Sequence, residues 1–374
     1  MSLSAPAPRK NPSPAIHHKI LLTTVALERQ PGLEGYIGGD AFSALYEKHP
    51  DYEYALLVRS EQRASGVKKA YPKDNVRIVV GTLTDSDVIE KEAAAADVVV
   101  HTADSADDVP SANAIAKGLA AGHSPEKPGF WLHVSGTGIL TWYDTKHERY
   151  GEAPLPDQDY HDIRDIDRLL SLPDEAIHRN VDKIVLAANS PAVRTAIVSP
   201  PTIYGAGRGP LNRRSMQVPG LAKATLEKGF APIIKPGKTE WDHVNVRDLS
   251  AFFVTLVEGT RDASLNADLE VFGPRAYYFV ESGTHVWSDV ARWIAEEAHK
   301  QGFLPAPLTK EATIKEVLQS TGAGATWGLN SKSKAERGPK YWGWKGTAQT
   351  LKETIPEVVA SEATLLHLQP HEKK

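Results

Sequence analysis

The sequence contains no cysteine. Disulfide frameworks and thiolate catalysis are therefore excluded. An excess of charge of one sign is missing too. Lys and Arg number 43 against 47 Asp and Glu, a net charge of -4, and nothing in that balance draws nucleic acid or a membrane surface. No apolar run approaches the roughly 20 residues that span a bilayer. HExxH is absent, and His17 and His18 sit side by side in a tail rather than at ligand spacing. Gly237-Lys238-Thr239 does not close a phosphate loop, because Pro232 stands where that motif needs glycine. The Asn11 glycosylation triplet is spoiled by Pro12. Residues 1–18 are rich in Pro and Ser, lack a signal peptide's apolar core, and are expected to form a flexible tail. A cytoplasmic protein with a small-molecule substrate is the expectation.

What is present is an ordinary globular composition. The 374 residues are 41% hydrophobic and 24% charged, enough for one large or two modest domains. Short apolar runs alternate with helical patterns. Strands are expected at Ile20–Leu27, Tyr54–Arg59, Val76–Val80, Asp97–His101, Phe130–Val134 and Arg194–Ser199. Helices are expected at Gly39–Glu47, Val88–Ala95, Ala112–Ala121 and Asp174–Ala188. This alternation indicates an α/β doubly wound parallel sheet, a Rossmann fold, over residues 19–205. Later segments near 242–260 are expected to complete the sheet. Residues 206–374 read as a smaller C-terminal substrate-binding lobe. It holds helices at Arg214–Lys228, Val246–Glu258, Ser288–Lys300 and Thr309–Gln319, and a short strand at Asp242–Val246.

The first chemical signal is Gly32-x-x-Gly35-x-x-Gly38, followed at once by a helix. A pyrophosphate needs backbone N–H groups at a helix N-terminus, and glycines clear the approach. Two features oppose it. Thr24–Pro31 intervenes between strand and loop, and Glu34 places a carboxylate where phosphate would rest. The second strand ends in Val58-Arg59-Ser60, with Arg63 nearby. A basic residue there accommodates the 2′-phosphate of NADP, whereas an acidic one selects NAD. NADP (NADPH) is therefore favoured over NAD.

These segments together resemble the short-chain dehydrogenase/reductase superfamily, in its extended or atypical branch of NAD(P)-dependent epimerase/dehydratase-like and dihydroflavonol-reductase-like proteins. The resemblance runs from about residue 19 to 360. It is carried by GLEGYIGG (32–39), LLVR (56–59), VVVHTAD (98–104), HVSGTGIL (133–140), HRNVDKIVLAA (178–188), PPTIYGAGRGP (200–210), HVNVRDL (243–249) and NSKSKAERG (330–338). It implies cofactor contacts at Gly32, Gly35, Tyr36, Ile37, Gly38, Arg59, Thr102, Ala103, Lys183, Pro200 and Thr202. It implies that Thr137, with Ser135 as second candidate, bonds the substrate oxygen at the end of the fifth strand. It also implies a dimer paired through helices such as 174–188.

The family's active-site helix carries Tyr-x-x-x-Lys, the Tyr as acid or base and the Lys holding the nicotinamide ribose. Here Lys183 is retained, and Arg179 stands in the place of the Tyr. An Arg stays protonated and cannot be a general acid near neutral pH. Proton transfer then falls to another group. His178 is adjacent, although a helical position there lies about 100° round the axis. Tyr150 or Tyr160 from the preceding loop could fold back. Arg179 itself could hold an anionic group or polarise a carbonyl. Trp142, Trp241 and His243 are further candidates for the substrate cleft, and Tyr204 reads as structural. The expected activity is NADP-dependent oxidoreduction of a small carbonyl or alcohol, with Thr137, Lys183 and Arg179 in the site. A nucleotide-binding sensor or scaffold and an epimerase- or dehydratase-like enzyme are the alternatives.

Overall fold

A computed structural model describes residues 18–23, 35–319 and 322–371. Seven strands form one parallel sheet: β1 (Lys19–Thr23), β2 (Glu53–Val58), β3 (Val76–Val80), β4 (Val98–His101), β5 (Gly129–Val134), β6 (Val193–Ser199) and β7 (Tyr277–Phe279). Their order is β7-β6-β5-β4-β1-β2-β3. Leu21 lies level with Ala55 on one side and Val99 on the other, and Leu132 with Val100 and Ala196. Every residue of β4 and β5 is buried. That is why these strands read as unbroken apolar runs rather than as alternating ones.

Six helices cover the sheet: α1 (Tyr36–Lys48), α2 (Glu61–Ala70), α3 (Ser86–Ala95), α4 (Val109–Gly122), α5 (Arg179–Ala188) and α6 (Val246–Gly259). The helix α4 packs against α3 and α5, and α1 packs against α6. Contact between α3 and α4 is close because Gly118 faces α3. A Cβ there would lie 2.3 Å from the Glu90 carbonyl oxygen. The strand order turns back between β1 and β4, the switch point outside which such sheets bind their ligands.

The lobe has its own apolar core. It is built on helices Gln217–Lys228, Trp287–Lys300 and Leu351–Leu365, with strand Ala231–Ile234 parallel to Thr309–Ala312. A three-stranded sheet of Thr202–Tyr204, Glu240–Asn245 and Gly283–Val286 joins it to the first domain. Asp40 on α1, fully buried, fastens the connection. It accepts from the Arg208 backbone N–H at 2.7 Å and from two guanidinium nitrogens at 3.0 and 2.8 Å.

Three expectations need correction. The segment near 242–260 does not complete the main sheet. Its strand joins the lobe sheet, its helix α6 covers α1, and Tyr277–Phe279 is the edge strand instead. Thr309–Gln319 is not one helix. It is a strand followed by Ile314–Leu318, because Thr313 and Glu316 form a capping box that starts the helix there. The helix expected at Asp174–Ala188 begins only at Arg179, because His178 takes a left-handed conformation with φ 69°. Residues 24–34, which include Gly32, Glu34 and the expected end of the first strand, lie outside the described residues. Among the described residues no helix is long and apolar enough to cross a membrane.

Candidate active site

The carboxyl edge of the sheet is assembled from strand ends that the fold brings together. Gly35 caps α1 in a left-handed conformation, φ 84°. Only glycine adopts this freely, and the turn delivers the N-terminus of a 13-residue helix to the switch point. The first turn carries no acidic side chain, so its N–H groups without intrahelical partners and its positive dipole end suit an anionic diphosphate. Tyr36 opens the helix, but its phenol is buried and donates to the Gly205 carbonyl at 2.7 Å, leaving its backbone for a ligand. Ile37 packs against the core. Gly38 is buried in the first turn.

Arg59 follows the last residue of β2, and Ser60 then caps α2. Thr102 and Ala103 follow β4. The Thr102 hydroxyl donates to the Thr23 carbonyl, and its N–H donates to the Thr23 hydroxyl at 3.1 Å, so the ends of β1 and β4 are braced at the switch point. Pro200 follows β6, and its carbonyl accepts from Thr137 N–H at 3.0 Å. Thr202 is fully buried in the joining sheet, its hydroxyl without a partner among the described residues.

Thr137 lies just beyond β5, fully buried. Its hydroxyl accepts from Ser331 Oγ at 2.9 Å. Ser331 belongs to the segment NSKSKAERG, which crosses over the β5 loop. Neighbouring Asn330 donates to buried Asp144 from both its backbone and its side chain. The Thr137 hydroxyl is thus engaged from above. Ser135, the second candidate, is also buried and lies beside the Asp182 carboxyl, its hydroxyl without a well-formed hydrogen bond among the described residues.

Arg179 and Lys183 do not meet at this site. The Arg179 guanidinium is buried and donates to the carbonyls of Leu172 and Leu170, pinning the chain that leads into α5. It therefore neither polarises a carbonyl nor binds an anion here. Lys183 is half exposed and pairs with Asp174 at 2.7 Å. The inward face of α5 presents Val181, Asp182 and Val185 instead.

Below the β5 loop lies a fully buried polar row. His101 Nδ1 is 3.2 Å from His133 Nδ1, His133 Nε2 is 3.7 Å from Asp182, and Asp182 accepts from the Tyr277 hydroxyl at 2.9 Å. Burial pushes the Asp182 carboxyl up to about 6 and His101 down to about 3, and holds His133 well below its ordinary value. His133 stays uncharged, so this is not an ion pair, and His133 Nε2 and Asp182 Oδ1 have no hydrogen-bond partner among the described residues.

At the rim sits a second histidine–aspartate pair. His178, the cap of α5, holds Asp107 of the β4–α4 loop, with Nδ1 2.7 Å from Oδ1. The opposite edge of the ring rests on the β5 loop. Cβ atoms placed on Gly136 and Gly138 would lie 3.4 and 3.1 Å from Nε2. Asp104, His133 and Asp182 lie nearby. Asp104 has φ 44° and one carboxylate oxygen buried without a partner among the described residues. Its carboxyl is held above the usual range by burial and then by Asp107 and Asp108.

The remaining aromatic candidates are packing residues. Tyr160 is buried beneath the Arg168 guanidinium, 3.9 Å from the ring centroid, and Tyr150 packs on the lobe core. Trp241 donates to the Leu329 carbonyl, and His243 stacks near His285. Trp142 keeps a buried indole N–H without a partner among the described residues. Tyr204, read as structural, is buried and donates to the Gln349 carbonyl at 2.9 Å. Sequence reasoning passed over Asp107 and Ser331. The only signals available were the acidic string Asp104–Asp108 and the NSKSK segment.

No protein-family model matches the chain. It is 36% identical over 345 residues to the oxidase UcsJ of an Acremonium species, covering 90% of this chain and 97% of that protein. It is 27% identical over 239 residues to an uncharacterised Schizosaccharomyces pombe protein, covering 61% of this chain and 69% of the other. Among solved structures it resembles the NAD-bound dTDP-glucose 4,6-dehydratase of Streptomyces venezuelae. The TM-score is 0.61 at 14% identity, over 93% of this chain and 97% of the other. It also resembles the UDP-glucose 4-epimerase of Thermotoga maritima, with TM-score 0.58 at 12% identity, over 93% and 99%.

Proposed function

Because the chain belongs to the extended short-chain dehydrogenase/reductase superfamily, we propose that it is an NAD(P)-dependent oxidoreductase of a small carbonyl or alcohol substrate, with NADP preferred. One observation carries the reading. A left-handed Gly35 opens α1 at the switch point, beside the ends of β4, β5 and β6. The residues that would hold the dinucleotide are Gly35 to Gly38 at the diphosphate, Arg59 at the adenosine 2′-phosphate, Thr102 and Ala103 beside the adenosine half, and Pro200 toward the nicotinamide. The bound cofactor supplies hydride transfer. The chain supplies binding, orientation and a proton.

Arg59 supports NADP by its place at the end of β2. The dispersal of Arg179 and Lys183 from Thr137 favours a second reading, a dinucleotide-binding protein without turnover.

The test is a titration of the full chain with NADPH and NADH, followed by cofactor fluorescence or calorimetry. NADPH is expected to bind more tightly. Arg59→Asp is expected to weaken NADPH by roughly tenfold or more, the worth of a charge-assisted hydrogen bond, and to leave NADH nearly unchanged. Equal losses for both would remove Arg59 from the 2′-phosphate. No binding of either cofactor would end the oxidoreductase reading.

A further inference from the structure

We infer that His178, oriented by Asp107, is the proton donor and acceptor of this site, taking over the task of the absent helix tyrosine. The inference rests on the oxidoreductase reading and goes beyond it by naming the acid–base residue. Three independent features of the chain carry it.

The first is position. The α5 helix starts at Arg179, so His178 is not a helical residue turned about 100° from the site, as the apolar spacing implied. It is the cap, and its ring lies along the β5 loop at Gly136 and Gly138, the two neighbours of Thr137. A side chain at either glycine would crowd the imidazole.

The second is orientation. Nδ1 lies 2.7 Å from the Asp107 carboxylate, which accepts a proton and cannot give one when ionised. Nδ1–H is therefore the donor to Asp107, and Nε2 is the nitrogen free for exchange. Nε2 makes no hydrogen bond among the described residues.

The third is strain. His178 holds φ 69°, a left-handed conformation that is unfavourable for a non-glycine residue. Asparagine or glycine would cap α5 here with less strain. Keeping a histidine in that conformation needs a reason beyond capping, and its side chain makes no capping hydrogen bond.

The step balances simply. In reduction, the carbonyl carbon gains the hydride supplied by the bound nicotinamide, and the C=O π pair moves to oxygen. The Nε2–H bond of the His178 imidazolium breaks, and its proton bonds that oxygen. The carbonyl is reduced by two electrons to the alcohol, the cofactor is oxidised by two, and the neutral imidazole regains a proton from water. Alcohol oxidation runs the same transfers in reverse, with Nε2 as base. Asp107 positions the ring and exchanges no proton with the substrate.

The experiment uses the full chain and two readouts. In the first, wild-type protein is treated with diethyl pyrocarbonate with and without saturating NADPH, or NADH if that binds better. Carbethoxylation of His178 is followed by peptide mass spectrometry, with exposed His367 as reference. Bound cofactor is expected to slow modification of His178 roughly tenfold and leave His367 unchanged, since each tenfold corresponds to about 1.4 kcal/mol of protection. In the second, NADPH oxidation is measured with 4-nitrobenzaldehyde and 9,10-phenanthrenequinone as carbonyl probes. His178→Gly keeps the left-handed backbone and leaves a hole. It is expected to lower kcat on the order of 100-fold, with NADPH affinity held and part of the rate restored by added imidazole. A ring that merely clasps two loops gives no imidazole rescue. Equal carbethoxylation with and without bound cofactor, or His178→Gly turning over like wild type, would overturn the inference and leave the oxidoreductase reading standing. Failure of the wild type to bind either cofactor, or to reduce either probe, would overturn that reading and this inference with it.

Discussion

Two histidine–aspartate pairs stand at the same edge of the sheet, and their surroundings give them opposite roles. His133 and Asp182 are fully buried, 3.7 Å apart, beneath the β5 loop. His178 and Asp107 lie above that loop at 2.7 Å, with side chains 16% and 56% exposed. Burial lowers the imidazole of the inner pair and raises its carboxyl, so the inner histidine is kept neutral and packs between β5 and α5. The outer pair keeps its access to water, so its ring can exchange a proton. Residue type is the same in both. What differs is the dielectric around it, and that decides between scaffold and chemistry.

The largest effect expected from breaking the comparison is on the inner pair. Asp182→Ala removes the acceptor of the Tyr277 hydroxyl and leaves that group facing a void in the fully buried region. A loss of ~3 kcal/mol in urea denaturation is expected, the worth of an orphaned buried donor plus a cavity. His178→Gly on the outer pair is expected to leave the urea midpoint within error of wild type or raise it, because glycine accepts the left-handed backbone without strain. Equal losses in the two variants would dissolve the distinction.

A smaller effect extends the inner pair's behaviour to the whole molecule. Burial lowers His18 to about 4, His101 to about 3 and His243 to about 4, and lowers His133 and His285 well below their ordinary value. The unfolded chain protonates these groups near pH 6.5 while the folded chain does not, so the stability they contribute is full above pH 6.5 and is lost as pH falls toward 4. Asp104, Asp162, Asp182 and Asp242, raised by burial and in the case of Asp162 and Asp182 to about 6, act in the opposite sense, because their contribution is full below pH 4 and is lost as pH rises through their folded values. The five imidazoles outnumber the four carboxyls. Melting temperature is therefore expected to fall from pH 7 to pH 5 in thermal scans. A melting temperature that rises over that interval would mean the carboxyls dominate.

The sheet was legible because strands buried on both faces are written as unbroken apolar runs such as DVVVH and FWLHV. The place of Arg59 was legible because it is the next residue after a strand. The pairing of His178 with Asp107 was not, since 71 residues separate them and only the fold brings them together. The apolar spacing of HRNVDKIVLAA also carried the expected helix back through His178, and a cap written with a histidine gives no ordinary start signal. Ser331 over Thr137 is hidden for the same reason, 194 residues away. The edge strand Tyr277–Phe279 is three residues long, too short to stand out from a loop.

The smallest expected effect is also the sharpest check on where the proton relay lies. Lys183 is the residue that family resemblance places beside the nicotinamide ribose, yet its ammonium lies on the outer face of α5 with Asp174, and both side chains are at least half exposed. Exposed pairs of this kind are screened by water and contribute little to stability. Lys183→Ala is expected to leave both the melting temperature and the NADPH dissociation constant at their wild-type values. Asp182, one residue earlier, faces inward, so the two positions point to different sides of the helix and cannot both serve the cleft. A clear weakening of NADPH binding at unchanged melting temperature would show that α5 turns on ligand binding and carries Lys183 inward. That rotation would pull Asp182 off Tyr277 and lift His178 from Gly136 and Gly138, and the acid–base group would then have to be sought on the helix rather than at its cap.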